Sequence, residues 1–399
     1  MRIAFHYHSV AIEVNGRIKT PSYIGLFIDS LASEVEEVIC FMHSPRPFEM
    51  AEADYTLTSP NVRLINLGVH SALPLRIINV PRYKKIVKSY ESYFDVMLIR
   101  TPSPLTFALS GAHSRPVAYY VVGDYVEGAK TLTLPTWKST IIKGYAHYFN
   151  SRLLRAIKNR TMVANSQLLY DQLKDRAKQA YLIKSTTLSR DDIFVREDSF
   201  EAQESEGPVK ILFTGRITPS KGLEDIIQAC GTLIRRDGFN FEFHIAGILD
   251  KNGQQFIDLL VEKSSEFKEG GFVIFHGKLS VGEELNSLYR KCHLFTLASR
   301  GNFEGFPRVI WEAMANSLPV LATEVGSIPY FLQNEKHALL VPPNQPSLFA
   351  EAIKELVNNG EKRRKLIENG RELAQYNTLE NRAKEMVDVL KAVLNQETT

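Results

Sequence analysis

Two glutamates, Glu304 and Glu312, bracket the end of the stretch S-R-G-N-F-E-G-F-P-R-V-I-W-E. Pro307 suits the first position of a helix, where its missing N–H and fixed φ cost least. Val309, Ile310, Ala313 and Met314 then recur at helical spacing, and Leu318-Pro319 closes the segment before a strand-like Val320-Leu321-Ala322. The loop thus delivers backbone N–H groups, from Gly305 and Phe306 onward, to a helix N-terminus, which favours anions. A carboxylate on the loop and another in the second turn can flank one molecule that carries both hydroxyls and phosphate, as a sugar nucleotide does. Either glutamate alone is better read as a solvated surface acid; what points to a site is their company.

A second chemical segment is F-T-G-R-I-T-P-S-K-G-L. A strand pattern ends at Thr214, Gly215 turns the chain, and Gly222 precedes a helix whose Leu223, Ile226, Ile227, Cys230, Leu233 and Ile234 form one apolar face. Arg216 and Lys221 therefore sit in a strand-to-helix loop, the edge where α/β sheets bind ligands. Arginine offers a planar fork of donors to phosphate oxygens and lysine a mobile point charge. Cations placed in advance stabilise a departing diphosphate most in the transition state, where its charge grows.

Glu304 and Glu312 match the E-x7-E pattern of retaining glycosyltransferases of the GT-B fold, in particular glycosyltransferase family 4, the group 1 transferases. E-G-F-P-R-V-I-W-E-A-M-A, with the P-V-L-A-T-E-V-G-S-I-P that follows, resembles the donor signature of that family, and G-R-x4-K-G resembles its diphosphate-binding pair. The resemblance implies catalytic roles for Arg216, Lys221 and Glu304, with Glu304 on the hydroxyls of the transferred sugar and Glu312 on the ribose. It also implies donor contacts from Gly215, Gly305, Phe306 and Pro307, from a glycine turn at Gly247, and from Lys278 and Leu279 after the strand that ends at Gly277. Retention of configuration by front-face attack, with no enzymic nucleophile, is the course the resemblance implies. No metal and no cofactor is expected: no D-x-D occurs, no His/Cys spacing resembles a zinc site, and two protein cations already supply the positive charge.

Alternating strand and helix patterns must position these residues. Apolar β-rich runs begin at Arg2, Val35, Val62, Asp95, Pro116, Thr161 and Ala180, and a second series at Val209, Phe241, Val273, His293, Val320 and Ala338. Near-continuous apolar strands imply parallel sheets covered on both faces by crossover helices. The fold class is α/β in two consecutive units, and the family resemblance implies the GT-B arrangement: two Rossmann-like domains facing each other across a cleft, with a C-terminal helix crossing back. On that resemblance, residues 1–190 are expected to form the acceptor-binding domain, 191–208 an acidic linker, 209–376 the nucleotide-sugar domain, and 377–399 the returning helix. Ser166 is a natural N-cap for the helix after the Thr161 run.

With 399 residues, 44% hydrophobic and 23% charged, the chain can bury two cores. Cys40, Cys230 and Cys292 lie in or beside apolar runs and read as core residues of a protein in a reducing compartment. The N-terminus enters a strand pattern without a signal-peptide profile, and no window approaches the ~18 apolar residues of a membrane span. The expected location is cytoplasmic, with a peripheral position on the inner face of the plasma membrane as a further expectation. Residues 1–190 hold 24 Lys+Arg against 14 Asp+Glu (+10) and the remainder 24 against 31 (−7), which sums to the net +3. Much of the excess lies in two stretches free of acid, Arg76 to Lys88 and Trp137 to Arg160, the second interleaved with Tyr145, Tyr148 and Phe149. Cations mixed with aromatics suit an anionic membrane surface. Nucleic acid is not expected as a partner.

The acceptor half is less explicit. Asn15-Gly16 resembles half of the family's glycine-rich acceptor loop. P-V-A-Y-Y-V-V-G-D resembles the strand that ends in His-Asp in the family, but here Val122 or Gly123 stands at the His position and Asp124 remains. Arg100, at another strand end, suits an acceptor phosphate or equally a structural role at the end of its strand. His6, His8 and His244 lie on apolar strands and read as core or edge residues. The expectation is a retaining glycosyltransferase that moves a sugar from a UDP- or GDP-type donor to a glycan or polyprenyl-diphosphate-linked acceptor in bacterial surface-polysaccharide synthesis. The alternative is a non-catalytic membrane- or nucleic-acid-binding protein using the basic half. A nicotinamide-dependent oxidoreductase would need a G-x-G-x-x-G turn, and none is present.

Overall fold

The computed structural model describes residues 1–126, 136–200, 207–249, 253–265, 271–280, 282–301 and 306–397. They divide into two compact units, Met1–Thr187 with Leu379–Thr399, and Leu188–Thr378. In chain order the strands of the first unit are β1 (Arg2–Val10), β2 (Ile12–Val14), β3 (Arg17–Thr20), β4 (Glu37–Ser44), β5 (Tyr55–Thr56), β6 (Val62–Val69), β7 (Val96–Thr101), β8 (Val117–Val121), β9 (Thr161–Ala164) and β10 (Gln179–Leu182). Seven of them form a sheet ordered β10-β9-β8-β7-β1-β4-β6, parallel throughout. The chain runs outward from β1 through β4 and β6, then returns to the other side of β1 with β7, so the strand order reverses between β1 and β7.

Side chains alternate across this sheet with the strand period of two. Ile3, Phe5, Val38, Cys40 and Met42 pack on one face with Ile24, Ile28 and Leu31 of the helix Ser22–Ala32 and with Ala383, Met386 and Leu390 of the helix Leu379–Glu397. Ala4, Ile39, Phe41 and Met97 pack on the other with Tyr83, Val87, Phe149 and Leu153. Full burial of each large apolar side chain contributes about 1.5–3 kcal/mol. The two faces together explain why the strands read as unbroken apolar runs.

β2, β3 and β5 form a small antiparallel sheet that strand patterning does not reveal. Asn15 and Gly16 join β2 to β3 with φ of 52° and 73°, both positive as a two-residue hairpin turn of type I′ requires. Gly16, expected in an acceptor loop, is here the second residue of that turn. The helix ending at Tyr376 is capped by Asn377, and the division between units falls at Thr378 and Leu379.

The second unit contains β11 (Val209–Thr214), β12 (Phe241–Ala246), β13 (Gly271–Gly277), β14 (Leu294–Leu297), β15 (Val320–Thr323) and β16 (Leu339–Val341), ordered β13-β12-β11-β14-β15-β16 and again parallel. Its reversal lies between β11 and β14. The described part of the expected linker, 191–200, packs as a strap along this unit. Phe194 N–H donates to the Ala315 carbonyl at 2.8 Å, and the Arg196 guanidinium donates to the carbonyls of Ser317, Arg290 and Cys292 at 3.2, 2.9 and 3.0 Å. Asp198 takes two hydrogen bonds from Arg363, at 2.8 and 2.9 Å. Burial, the largest single influence, opposes ionisation of Asp198, yet the Arg363 hydrogen bonds, the Phe200 N–H and the Arg363 and Arg364 charges together outweigh it and hold the carboxyl below its usual range.

Candidate functional site

Carboxyl ends of strands flanking a reversal of strand order form a crevice suited to ligands. In the second unit those ends are Thr214 on β11 and Leu297 on β14, and a cavity of about 620 Å³ opens there. Gly215 leaves β11 with φ of 140°. A short 3-10 turn, Pro219–Lys221, leads to Gly222 at φ 67°, which caps the helix Leu223–Asp237. A Cβ on Gly222 would lie 2.0 Å from the Ala298 carbonyl oxygen, so only glycine lets the loop approach β14 this closely. Gly247 packs beneath the same loop: its Cβ would lie 1.7 Å from the Gly215 carbonyl oxygen. Gly247, expected at the donor, thereby acts on the site through the backbone of Gly215.

The opposite wall follows β14. The Arg300 N–H donates to the Ser220 carbonyl at 2.9 Å, while its guanidinium holds Asp225 at 2.7 and 3.2 Å and Glu224 at 3.2 Å. Arg300 thus fastens the two loops together. Thr323 Oγ1 donates to the Ser299 carbonyl at 2.6 Å and fixes the same loop from β15. Phe306 stacks on Trp311 at 4.3 Å and meets Phe331 edge-on at 5.1 Å, which sets the entry to the helix Arg308–Ala315. Pro307 is the N-cap of that helix, with φ −68° and ψ 117°, one residue earlier than the expected first helical position. The first turn carries no acid.

Arg216, Lys221, Phe306 and Pro307 all line the cavity, as do Thr214, Gly215, Ser220 and Arg308. Arg216 is exposed and has no hydrogen bond or ion pair among the described residues. Three cations and a helix N-terminus meet at one cavity, and no carboxylate stands among its described lining residues. Such an arrangement binds a polyanion with closely spaced charges. Sequence reasoning missed Ser220 and Arg308. Arg308 had a signal: a cation in the first helical turn opposes the helix dipole and is tolerable where an anion sits beside it.

Glu304 and Gly305 lie outside the described residues. Glu312 does not line the cavity but reaches it through a relay. Its carboxylate accepts from the Tyr289 hydroxyl at 3.1 Å, and that hydroxyl stands 2.6 Å from Thr214 Oγ1. Since Tyr289 has one proton, donating it to Glu312 leaves its oxygen to accept from Thr214. Burial pushes the Glu312 carboxyl up, against the Tyr289 hydrogen bond and the Arg308 charge, which pull it down. Lys278 is exposed and Leu279 packs on the core; both follow Gly277, which is at φ 69°, and neither lines the cavity.

The acceptor-side candidates lie in the first unit. Arg100 stands 4.6 Å over the Tyr7 ring, with Tyr23 and Tyr120 at 5.6 and 5.8 Å, and its buried Nε has no partner. Asp124 accepts from the Val126 N–H at 2.6 Å, a turn contact. His6 is a satisfied core residue, with Nδ1 donating to the Phe41 carbonyl at 2.8 Å and Nε2 at 3.0 Å from Ser103 Oγ. His244 is held between His276 and Glu242. His8 departs from the expectation of a satisfied residue, for its Nδ1 is buried and unpartnered.

Residues 194–373 match the family model described as glycosyl transferases group 1. An uncharacterised glycosyltransferase of Methanocaldococcus jannaschii is 34% identical over 172 residues, which are 41% of this chain and 42% of that protein. The chain therefore spans less than half the length of this curated relative. Among solved structures, the sucrose-phosphate synthase of Thermosynechococcus elongatus superposes with a TM-score of 0.70 at 18% identity, covering 99% of both chains. Anabaena HepE in complex with UDP-glucose superposes with a TM-score of 0.65 at 16% identity, covering 98% of this chain and 100% of that one. The shared architecture is the GT-B fold.

Proposed function

We propose that this chain, whose residues 194–373 match the model of the group 1 glycosyl transferases, is a retaining glycosyltransferase. It takes a sugar from a UDP- or GDP-type donor and moves it to a glycan or lipid-linked acceptor in bacterial surface-polysaccharide synthesis. The observation that carries the reading is the cavity at the β11–β14 reversal, where Arg216, Lys221, Arg308 and a helix N-terminus meet. A diphosphate is the group that such a site holds best.

In the reaction so proposed, the bond from the anomeric carbon to the diphosphate oxygen breaks and its electron pair stays with the diphosphate. Arg216, Lys221 and the N–H groups at the start of the helix Arg308–Ala315 stabilise the growing charge. The acceptor hydroxyl attacks on the same face, and its proton passes to the departing oxygen. Protein cations meet the charge, so neither metal nor cofactor is part of the proposal. Glu304 is assigned to the transferred sugar by family resemblance. Glu312 is assigned to the ribose, its carboxylate oriented by Tyr289.

The test is turnover of nucleotide sugars by the full chain, starting with UDP-glucose and followed by release of the nucleoside diphosphate. No thermal shift and no hydrolysis or transfer with any donor would sink the reading. Lys221→Ala should lower kcat by about 10²–10³ while weakening donor binding much less. Equal losses in both would mean that Lys221 binds only the ground state.

Association with an anionic membrane surface belongs to the same proposal. In the helix Leu73–Ile78, Leu75, Ile77 and Ile78 are 52%, 49% and 71% exposed, and Arg82, Lys84 and Lys85 are exposed on the following helix. Exposed aliphatic groups beside cations suit a lipid interface, at about 1 kcal/mol per cation. Co-sedimentation with vesicles should rise with anionic lipid, and indifference to lipid charge would remove this part. Transfer from any nucleotide sugar would exclude the alternative of a purely binding protein.

A further inference from the structure

One buried hydroxyl stands behind the donor cavity and touches two of the residues that line it. Tyr289 is fully buried on the helix Glu283–Lys291, its ring centre 5.9 Å from that of Phe295. Its hydroxyl lies 2.6 Å from Thr214 Oγ1, 3.1 Å from a Glu312 carboxyl oxygen and 3.4 Å from the Val309 carbonyl oxygen. Thr214, at the end of β11, and Val309, in the first turn of the helix Arg308–Ala315, both line the cavity. A single oxygen therefore ties the strand end to the helix.

Proton supply decides the order of this relay. Tyr289 and Thr214 each carry one hydroxyl proton, and an ionised carboxylate only accepts. With Glu312 ionised, both short contacts are hydrogen bonds in one order alone: Thr214 donates to Tyr289 and Tyr289 donates to Glu312. With Glu312 protonated the order can reverse, the acid donating to Tyr289 and Tyr289 to Thr214. Among the described residues the Tyr289 hydroxyl is the sole hydrogen-bond partner of the Glu312 carboxyl, which makes no ion pair there. Burial above all pushes that carboxyl up; the Tyr289 hydrogen bond does most to hold it down, the Arg308 charge helps, and the Asp192 carboxylate works against it. Burial, and after it the Glu312 charge, hold the Tyr289 hydroxyl well above its usual range, so it keeps its proton and stays a donor. Glu312 is only half-buried, which leaves it open to a ligand.

We propose that Tyr289, backed by Thr214, is a positioning residue of the donor site: it keeps Glu312 ionised to accept from a vicinal diol on the nucleotide, and nucleotide binding is lost with acid when the relay reverses. An ionised carboxylate accepts two hydroxyl protons at once, whereas a protonated one must also place its own proton and loses part of that capacity. The assignment deepens the glycosyl-transfer reading and rests on it, since that reading supplies the ribose. Tyr289 would brace Thr214 and Val309 whether or not Glu312 is charged, so pH is what separates positioning from mere support.

Calorimetric titration of the full chain with UDP and with GDP, from pH 5 to pH 8, is the test. The terminal phosphate of either ligand titrates itself, at about pH 6, but equally for every protein, so the displacement between proteins is what counts. Tyr289→Phe removes the hydroxyl and keeps the ring. It should move the loss of binding up by about one pH unit, leaving binding on the acid side about tenfold weaker than in the wild type, since a hydrogen bond to a charged group is worth about that factor. Added to Glu312→Gln, which has nothing left to titrate at that position, Tyr289→Phe should produce no displacement. Thr214→Val keeps the shape of the side chain and takes away the donor behind Tyr289; a smaller displacement in the same direction is expected, and it carries the test if Tyr289→Phe does not fold. A loss of equal size at every pH, or a displacement that survives Glu312→Gln, would overturn the assignment, while UDP or GDP binding by the wild type would leave the glycosyl-transfer reading standing. Failure of both nucleotides to bind the wild type would overturn the reading and the assignment together.

Discussion

The close approach of Gly247 to the Gly215 carbonyl shows how a residue outside the cavity controls it. Gly247→Ala forces a methyl group into backbone, which cannot rotate away as a side chain would. It should cost about 3 kcal/mol, at the upper end for overpacking, read as a lower urea midpoint; a loss below about 0.5 kcal/mol would show that the loop yields freely. Arg308 makes the opposite prediction. An exposed cation in the first turn works against the helix dipole, so Arg308→Gln should stabilise the ligand-free protein by about 0.3–1 kcal/mol. The same change should weaken UDP binding by about tenfold, because a charge-assisted contact to phosphate is lost. Arg308 was overlooked in the sequence since one arginine in a helix start looks like any surface cation. Arg216 and Lys221 stood out because a turn glycine flanks each. The Tyr289 link to Glu312 joins residues far apart in sequence, and no local spacing announces it.

At the scale of elements, the parallel strands were legible because burial on both faces makes them continuous apolar runs, and Ser166 did prove to cap the helix Gln167–Leu173. The β2–β3 hairpin was not legible, for its strands are three and four residues long and its Asn-Gly turn was assigned to a loop. The packing of 191–200 was not legible for a different reason: polar composition marks a boundary between units but not its partners, and Arg196 and Asp198 spend their hydrogen bonds on the second unit. Asp198 and Arg363 are only 9% and 7% exposed. Asp198→Ala leaves a guanidinium buried without its counter-ion and should cost about 3–5 kcal/mol by denaturant unfolding. A cost under about 1 kcal/mol would mean that water reaches the pair.

For the whole molecule, acid should be destabilising well above the range in which ordinary carboxylates titrate. Burial above all draws the imidazoles of His6 and His43 down to about 3, from about 6.5 in an unfolded chain. Between those values the unfolded chain binds more protons than the folded one, so stability is lost as pH falls through that window. Each such histidine contributes a slope of up to about 1.4 kcal/mol per pH unit. Urea midpoints measured from pH 7 to pH 5 should fall, and a flat profile would mean that the two rings are hydrated. The division of the chain carries one more consequence. Unit one needs residues from both ends of the sequence, because Ala383, Met386 and Leu390 complete one face of its core. Ribosomes work from one end only. At about 5–20 residues per second, the residues of the second unit take roughly 10–40 s to emerge. For that interval the lobe begun first must wait with a greasy face bare, while the lobe begun second can already close.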